Sequence, residues 1–415
     1  MTLGVGAFAH SAGRVLADHG ASVATYLTRD YGHFPPTLAG PVFDKIRHPS
    51  PVPLLRERGV QLVLPQSIDW AQAPWAGDLL ASGAGILSPT GEGMRIERER
   101  DFARALCGRH GVPFPRSHVV ASLAEAEAFL GRDRRPFVIK NPLCSPGSPI
   151  HTIVCETVAE TRAWLPHLDY AEGAFLQEYA GRAEAGHIAL VSAGEICSLV
   201  TNQEYKRAFA GNLGIVAGAP LGGLVERDEG DRYGLARALL HPLRPWFRAV
   251  NFHGPIQVTA AFHEDRWQVL EYNIRIGVTS GAMILRMLEN PLETLLATTR
   301  NQPLAPRFRA GMEFGCSVTL AGYGYPFTQL TGPPMPIEVG AAPDGSTCDL
   351  WWNEVGRDDE GRIMALGHRL ADAVGYGAGL PAAIARAYAT VRGLRSTGSF
   401  YRVDIGQSLW PPGCS

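Results

Sequence analysis

Short apolar runs alternate with amphipathic segments through the first hundred residues of the chain. Predicted strands start at residue 3 and cover 22–26, 60–65 and 85–87, and predicted helices cover 12–19 and 75–81. Strands that alternate with helices pair side by side into a parallel sheet whose two faces are both covered. The pattern therefore predicts an N-terminal α/β domain with a parallel sheet over residues 1–98.

The middle of the chain combines one helix with several strands. The helix begins at Glu97 and ends before Gly111 and Pro113, which both interrupt a helix. Further strands are predicted at 136–140, 174–179, 188–191, 196–200, 254–257 and 269–275. The first of them ends in Lys140, and a buried lysine costs desolvation energy unless an anion lies beside it. The small-residue loop 141–149 that follows is suited to approach phosphate groups with its backbone.

The strand pair within residues 254–275 carries the most informative polar side chains. Glu271 and Asn273 are two residues apart, so their side chains point to the same face of an extended strand. Gln257 lies on the neighbouring strand, and Arg275 follows Asn273 closely. Carboxylate and amide oxygens beside a guanidinium suit a magnesium ion that bridges nucleotide phosphates. Taken alone, this segment is equally compatible with a surface hairpin that carries ordinary polar residues.

A second polar group lies between two apolar strands. It contains Lys206 and Arg207, with Asn202, Glu204 and Asn212 nearby. Such charged residues are costly to bury without an anionic partner, so an acidic substrate or a phosphate is expected beside them.

The last third of the chain starts near residue 301, after a polar connector that contains two prolines. A strand is predicted at 316–320 and a helix at 380–394. These elements indicate a small α+β domain over residues 301–415. The predicted fold class is therefore a multidomain α/β and α+β protein, with a central domain over residues 99–300.

Composition limits the partners and the compartment. Of the 415 residues, 46% are hydrophobic and 19% are charged, which is ordinary for a soluble globular protein. The net charge of −2 gives no basic field for a nucleic acid or an anionic membrane, and no apolar stretch is long enough to span a bilayer. Seven scattered cysteines without a CxxC pair predict neither a zinc site nor a disulfide framework. With no basic leader at the N-terminus, we expect a cytoplasmic protein, either a monomer or a homodimer.

The order of these features resembles the ATP-grasp superfamily, and more narrowly the glycinamide ribonucleotide synthetase family. The segments that carry the resemblance are 87–90, 110–113, 204–207, 269–277 and 401–406. Their order is the same along nearly the whole chain. The resemblance implies an ATP-grasp fold with a lid at about 118–190 and a small C-terminal domain that closes the cleft. It also implies ATP and Mg²⁺ or Mn²⁺ as cofactors.

The resemblance further implies a role for each residue that matches the family's pattern. Lys140 and Arg275 would stabilise the transferred phosphoryl group as catalytic residues. The metal ligands would be Gln257, Glu271 and Asn273. The residues that bind the nucleotide would be Arg100, Lys140, Gln177, Glu178, Tyr179 and Glu184. Within that set, the backbone at Glu178 and Tyr179 would contact the adenine edge. The residues that bind the substrates would be His10, Lys206, Arg207, Asn212 and Arg275.

Departures from the family lie where substrates are expected. The loop 141–149 has lost a lysine, the N-terminal turn keeps only His10 of a longer polar run, and Val278-Thr279-Ser280 replaces an acidic segment. The main hypothesis is therefore an ATP-dependent carboxylate–amine ligase that forms an amide through an acyl phosphate. Its substrates would be a small-molecule acid and amine of a specialised biosynthetic pathway. The alternatives are the phosphoribosylamine–glycine ligase of purine synthesis and a non-catalytic ATP-binding protein.

Overall fold

A computed structural model describes five ranges of the chain: 1–29, 38–144, 152–327, 333–341 and 346–407. Residues 145–149 of the predicted phosphate loop lie outside these ranges. None of the helices in these five ranges is both long enough and apolar enough to cross a membrane.

The N-terminal unit is a five-stranded parallel sheet with helices, as predicted. Its elements are β1 (Thr2–Leu3), α1 (Gly6–Asp18), β2 (Thr25–Leu27), β3 (Val42–Asp44), α2 (Val52–Glu57), β4 (Leu62–Pro65), α3 (Ala76–Leu80) and β5 (Gly85–Ile86). The strands are parallel and lie in the order β3-β2-β1-β4-β5. Helix α1 starts at Gly6 and not at residue 12. The φ of 59° at Gly6 allows a tight turn directly from β1 into the helix.

A small antiparallel unit follows two short helices. The helices α4 (Arg95–Arg98) and α5 (Arg100–Arg109) are separated at Glu99, whose ψ of 103° breaks the single helix expected there. The small unit consists of β6 (Ser117–Val120), α6 (Leu123–Arg132), β7 (Phe137–Lys140), α7 (Val158–Trp164) and β8 (Ala174–Glu178). Its strands lie in the order β6-β8-β7 above a core of their own. This unit lies within the predicted lid, and the chain after Glu178 enters a different sheet.

The remaining elements surround one large sheet. The strands, in chain order, are β9 (Glu184–Ser192), β10 (Glu195–Glu204), β11 (Arg207–Phe209), β12 (Leu213–Val216), β13 (Gly222–Arg227), β14 (Gly254–His263), β15 (Arg266–Asn273), β16 (Phe314–Gly322), β17 (Met335–Pro336), β18 (Glu338–Val339), β19 (Cys348–Trp352), β20 (Val355–Arg357), β21 (Ile363–Ala365), β22 (Arg369–Gly377), β23 (Leu394–Arg395) and β24 (Ser399–Phe400). The helices are α8 (Leu235–Leu239), α9 (Arg244–Ala249), α10 (Val278–Met287), α11 (Pro291–Thr299) and α12 (Leu380–Arg392).

The large sheet has the order β15-β14-β9-β10-β13-β16-β22-β19, and β24 pairs with β16. Because β13 pairs directly with β16, the sheet continues across residue 300, where a domain boundary is predicted. Helix α10 packs against α1 and against β13. The Arg286 guanidinium of α10 holds this arrangement through ion pairs at 3.0 Å with Asp18 of α1 and Asp349 of β19. The N-terminal helix, the central sheet and the C-terminal strands are therefore joined by one buried cation.

Candidate active site

The predicted metal ligands share one face of the hairpin β14–β15. In the register of these strands, Gln257 lies opposite Asn273 and Thr259 lies opposite Glu271. Residues that lie opposite each other in antiparallel strands point to the same face. The structure therefore places the side chains of Gln257, Glu271 and Asn273 together, as the two-residue spacing on β15 indicates.

Glu271 lies among positive charges. Its Oε2 is 3.6 Å from Arg100 Nη1, and its Oε1 is 3.8 Å from Lys206 Nζ. Burial by itself would raise the pKa of Glu271. The surrounding cations Lys206, Lys140, Arg100 and Arg275 outweigh that effect and hold the pKa well below its usual range. Glu271 is therefore a carboxylate throughout the physiological pH range.

Lys206 lies at the centre of three carboxylates. Its Nζ is 3.8 Å from each of Glu184 Oε2, Glu204 Oε2 and Glu271 Oε1. Burial would lower the pKa of Lys206, but these carboxylates outweigh it and raise the pKa above its usual range. The chain has only three lysines, and Lys140 and Lys206 are two of them. Two of the three lysine ammonium groups of the chain are thus found at this site.

Lys140 and Gln177 connect the small unit to the large sheet. Leu270 lies at an irregularity of β15, between the paired residues Val269 and Glu271. Its carbonyl accepts hydrogen bonds from Lys140 Nζ at 3.0 Å and from Gln177 Nε2 at 3.3 Å. Lys140 Nζ also donates to Gln177 Oε1 at 2.7 Å. The predicted phosphate lysine therefore extends from the small unit to the strand that carries Glu271.

The charge of Lys140 predicts a pH dependence of nucleotide binding. Burial, reinforced by the Arg100 guanidinium, lowers the pKa of Lys140 to about 8. A neutral lysine attracts phosphates less, so we expect MgATP affinity to weaken above about pH 8, by up to about tenfold per pH unit. Isothermal titration calorimetry between about pH 6.5 and 9.5 measures this change. The Lys140→Arg variant stays charged, and a matching decline of affinity in that variant would contradict the assignment.

Arg275 is held by Asn273 and by a carboxylate that sequence analysis missed. Its Nη2 donates to Asn273 Oδ1 at 3.0 Å, and its Nε donates to Glu97 Oε1 at 3.3 Å. Glu97 Oε2 also accepts the N–H of Ile274 at 2.6 Å. Burial raises the pKa of Glu97, although Arg275 opposes this shift. The sequence places Glu97 in a charged run at a helix start, and no pattern there distinguishes it from its exposed neighbours.

The backbone N–H groups of the predicted hinge, Glu178 and Tyr179, both have carbonyl partners. The N–H of Glu178 donates to the carbonyl of Arg116 at 2.8 Å, and the N–H of Tyr179 donates to that of Pro136 at 2.9 Å. The Glu178 side chain accepts from Arg135 at 2.9 Å. Neither of these two N–H groups is therefore free to contact an adenine edge, because both are engaged within the small unit.

Three of the predicted substrate residues have partners away from the Glu271 cluster. Arg207 donates to Glu156 Oε1 of the small unit at 2.8 Å, and Asn212 Oδ1 accepts from Arg402 at 3.2 Å. His10 is buried, and its Nδ1 accepts the N–H of Trp352 at 2.9 Å. Burial, with a contribution from Arg14, lowers the pKa of His10 to about 4. A neutral histidine that is engaged in this way is a poor anion ligand.

The ion pair between Arg207 and Glu156 connects β11 with the small unit. We therefore expect this pair to stabilise the closed position of the small unit. We expect Arg207→Ala to raise the KM for ATP by up to about fivefold, since a partly exposed ion pair is worth about 0.2–1 kcal/mol. The chain fold should not change, and circular dichroism checks this. Steady-state kinetics at varied ATP measures the effect. The exposed pair of Arg362 and Asp358 provides the control, and Arg362→Ala should leave the KM unchanged.

The donor atoms fit a hard divalent cation. Glu271 offers an anionic oxygen, and Gln257 and Asn273 offer amide oxygens from the same face. Asn273 Oδ1 keeps one lone pair beside its bond from Arg275. Mg²⁺ and Mn²⁺ prefer such oxygen ligands and complete their shells with water and phosphate. These three residues are therefore able to hold the metal.

Within the described ranges, one further group of possible metal ligands consists of His187, Asp228 and Asp231. Hydrogen bonds already account for it. His187 bonds to Thr201 and Ser198, and the carboxylates accept the backbone N–H groups of Arg232, Ala236 and Arg237. We interpret this group as a structural network that fixes the turn after β13.

Similar proteins of known sequence are phosphoribosylamine–glycine ligases. The chain is 27% identical to the ligase of Streptomyces coelicolor over 333 residues. This match covers 78% of each protein. It is also 27% identical to the ligase of Mycobacterium tuberculosis H37Rv over 342 residues. This match covers 79% of this chain and 78% of that one. None of the known family profiles matches the chain.

Solved structures share the fold. The phosphoribosylamine–glycine ligase of Thermotoga maritima superposes with a TM-score of 0.77 at 19% identity, over 97% of this chain and 99% of that one. A biotin carboxylase of Campylobacter jejuni superposes with a TM-score of 0.68 at 13% identity. The match covers 96% of this chain and 92% of that one. The N5-carboxyaminoimidazole ribonucleotide synthetase of Thermus thermophilus superposes with a TM-score of 0.62 at 16% identity. The match covers 95% of this chain and 98% of that one.

These likenesses confirm the predicted fold. The chain therefore has the ATP-grasp fold, and in sequence it resembles the phosphoribosylamine–glycine ligases.

Proposed function

We propose that the chain joins a small-molecule carboxylate to an amine, using ATP to activate the carboxylate as an acyl phosphate. ADP and phosphate would be released. The observation that supports this most is the convergence of Arg100, Lys140, Lys206 and Arg275 around Glu271. A cluster of cations beside oxygen ligands suits a metal-bound triphosphate and the charge that moves during phosphoryl transfer.

Each group of the site has a distinct task in this proposal. Gln257, Glu271 and Asn273 hold the divalent cation, which lowers the charge of the phosphates when bound. Lys140 extends from the small unit and Arg100 from α5, so both cations would face the phosphates, and closure of the small unit would bring Lys140 onto them. Arg275, oriented by Glu97 and Asn273, steadies the phosphoryl group. Closure also excludes water, which would otherwise hydrolyse the acyl phosphate.

Glycine and phosphoribosylamine are the first pair to test, because they are the substrates named by the similar proteins. A different acid or amine is the second candidate. It is favoured by Val278-Thr279-Ser280 at the start of α10, a helix with no acidic residue in its first turn. His10, which is neutral and engaged with Trp352, also favours the second candidate.

ADP release is the direct test. The protein is supplied with MgATP, glycine and phosphoribosylamine, and ADP is measured by a coupled assay. Release that requires both substrates would assign the purine activity. Release only with other pairs from a panel of acids and amines would assign an altered substrate. ATP binding without ADP release for any pair would contradict the ligase proposal and favour a non-catalytic ATP-binding protein.

A further inference from the structure

One row of residues crosses the large sheet at the proposed metal site. In the register of the strands, Asn202 of β10 lies opposite Gly186 of β9. Gly186 in turn lies opposite Thr259 of β14, which lies opposite Glu271 of β15. Residues that lie opposite each other point to the same face of a sheet, and Gln257 shares that face because it is two residues from Thr259. The row therefore places Asn202 on the face that carries the proposed metal ligands.

The side chain of Asn202 lies across Gly186. It is 1% exposed, and its Nδ2 donates to Ser280 Oγ of α10 at 3.2 Å. A carbon placed on the Cα of Gly186 would clash with Asn202 Oδ1, so no larger residue fits there while Asn202 keeps its position. Gly186 therefore leaves Asn202 the room to extend over β9.

The Oδ1 of Asn202 is a buried acceptor without a hydrogen-bond partner among the described residues. Such an acceptor costs free energy until a donor reaches it. Apart from Gly186 and its chain neighbours, the heavy atoms nearest to the added carbon are Asn202 Oδ1, Gln257 Nε2 and the carbonyl oxygen of Val258. Gln257 Nε2 is 3.2 Å from that carbon, and of these three atoms it alone is a donor. Asn202 Oδ1 and Gln257 Nε2 therefore face the same small region above Gly186.

A glutamine that binds a metal has to present its amide oxygen to the metal and not its nitrogen. The two ends of the amide are nearly equal in size, so the hydrogen-bond partners decide which end points where. The Nε2 of Gln257 lies on the side of Gly186, whereas its Oε1 lies on the side of α10, 3.5 Å from a carbon placed on the Cα of Gly277. An acceptor that holds the nitrogen at Gly186 therefore keeps the oxygen available as a ligand.

We propose that Asn202 is a positioning residue for the metal ligand Gln257, an inference that rests on the metal site of the proposed function. When Gln257 Oε1 is engaged as a ligand, its Nε2 donates to Asn202 Oδ1 across Gly186. This hydrogen bond fixes the orientation of the amide, and the contact with Ser280 holds Asn202 in place. Partners that orient metal ligands in this way change metal affinity about 10- to 100-fold.

A double-mutant cycle tests this role through MgATP binding and not through turnover. Isothermal titration calorimetry measures the MgATP affinity of wild type, Asn202→Leu, Gln257→Ala and the double variant. Leucine has the branched shape of asparagine but neither accepts nor donates a hydrogen bond. We expect Asn202→Leu to weaken MgATP binding about tenfold when Gln257 is present. In the Gln257→Ala background, the same substitution should change the affinity by no more than about twofold.

The cycle distinguishes the ways in which the proposal can fail. Equal losses in both backgrounds would show that Asn202 acts on the fold and not through Gln257. Unchanged binding by Asn202→Leu, beside a clear loss for Gln257→Ala, would also overturn the role of Asn202. If wild type does not bind MgATP, or if Gln257→Ala binds it as wild type does, the metal site itself is wrong. That result is distinct, because it does not depend on Asn202.

Two further variants keep the test decisive if Asn202→Leu does not fold. Gly186→Ala keeps Asn202 but adds the carbon that clashes with its Oδ1, and the φ of Gly186 lies outside the left-handed region, so alanine fits the backbone. We expect Gly186→Ala to weaken MgATP binding to a similar extent, and unchanged binding would contradict a contact across Gly186. Ser317→Ala is the control, because Ser317 of β16 is also buried and its Oγ also lacks a partner among the described residues. This control should bind MgATP as wild type does.

Discussion

Replacement of Glu271 by glutamine should abolish turnover, with a loss of kcat of at least about 10²–10³-fold. Glutamine keeps the size of the side chain but removes the anionic metal ligand. It also leaves Lys206, Lys140, Arg100 and Arg275 without the carboxylate that they surround. ADP release at saturating ATP and Mg²⁺ measures the loss. Excess Mn²⁺ should restore part of the activity if the defect lies in the metal site.

The same hairpin provides a matched control for this variant. Glu264 lies in the exposed turn between β14 and β15, far along the strands from the catalytic face, and its side chain is largely exposed. Glu264→Gln removes one negative charge from the same element, and its activity should equal that of wild type. Activity of Glu271→Gln at the level of this control would disprove the assignment of Glu271 as a metal ligand.

The second large effect concerns stability. Glu97→Ala should lower the free energy of unfolding by about 3 kcal/mol, since the loss of one partner of a buried ion pair leaves the other charge uncompensated. The variant also leaves the N–H of Ile274 without its acceptor. Arg275 keeps 30% of its side chain exposed, so the remaining charge is partly hydrated and the effect lies at the lower end of the usual range. Urea unfolding followed by circular dichroism measures the change.

Glu99→Ala is the control for this stability effect. Glu99 lies two residues from Glu97 and pairs with Arg95 at the surface, at 2.8 Å. Surface ion pairs contribute about 0–1 kcal/mol, so this variant should differ little from wild type. Equal losses of stability for both variants would contradict the role of Glu97 as the buried partner of Arg275.

The local sequence predicted the strands that carry the site, which are β7, β8, β9, β10, β14 and β15, because hydrophobic periodicity is a local signal. It did not predict β3, the helices α8–α11 or the strands β17–β24. Strand β8 was predicted to within one residue, and the hairpin β14–β15 was predicted with its correct facing residues. Several boundaries differ from the prediction: β14 runs six residues beyond the predicted end at 257, and β9 begins four residues before the predicted start at 188. Helix α1 begins at Gly6 because of a positive φ, and the helix before Gly111 breaks at Glu99. The continuation of the sheet across residue 300 depends on pairing between distant strands, which periodicity does not encode.

The same division holds for the site. The sequence by itself determined the face shared by Glu271 and Asn273, since a spacing of two residues on a strand fixes it, and it determined that Lys140 ends an apolar strand. Only the tertiary structure decided which charges surround Glu271 and that Glu97 supports Arg275. It likewise decided that Arg207 and His10 turn to other partners. These contacts join residues far apart in the chain, and their energies depend on burial and on neighbouring charges that exist only once the chain has folded.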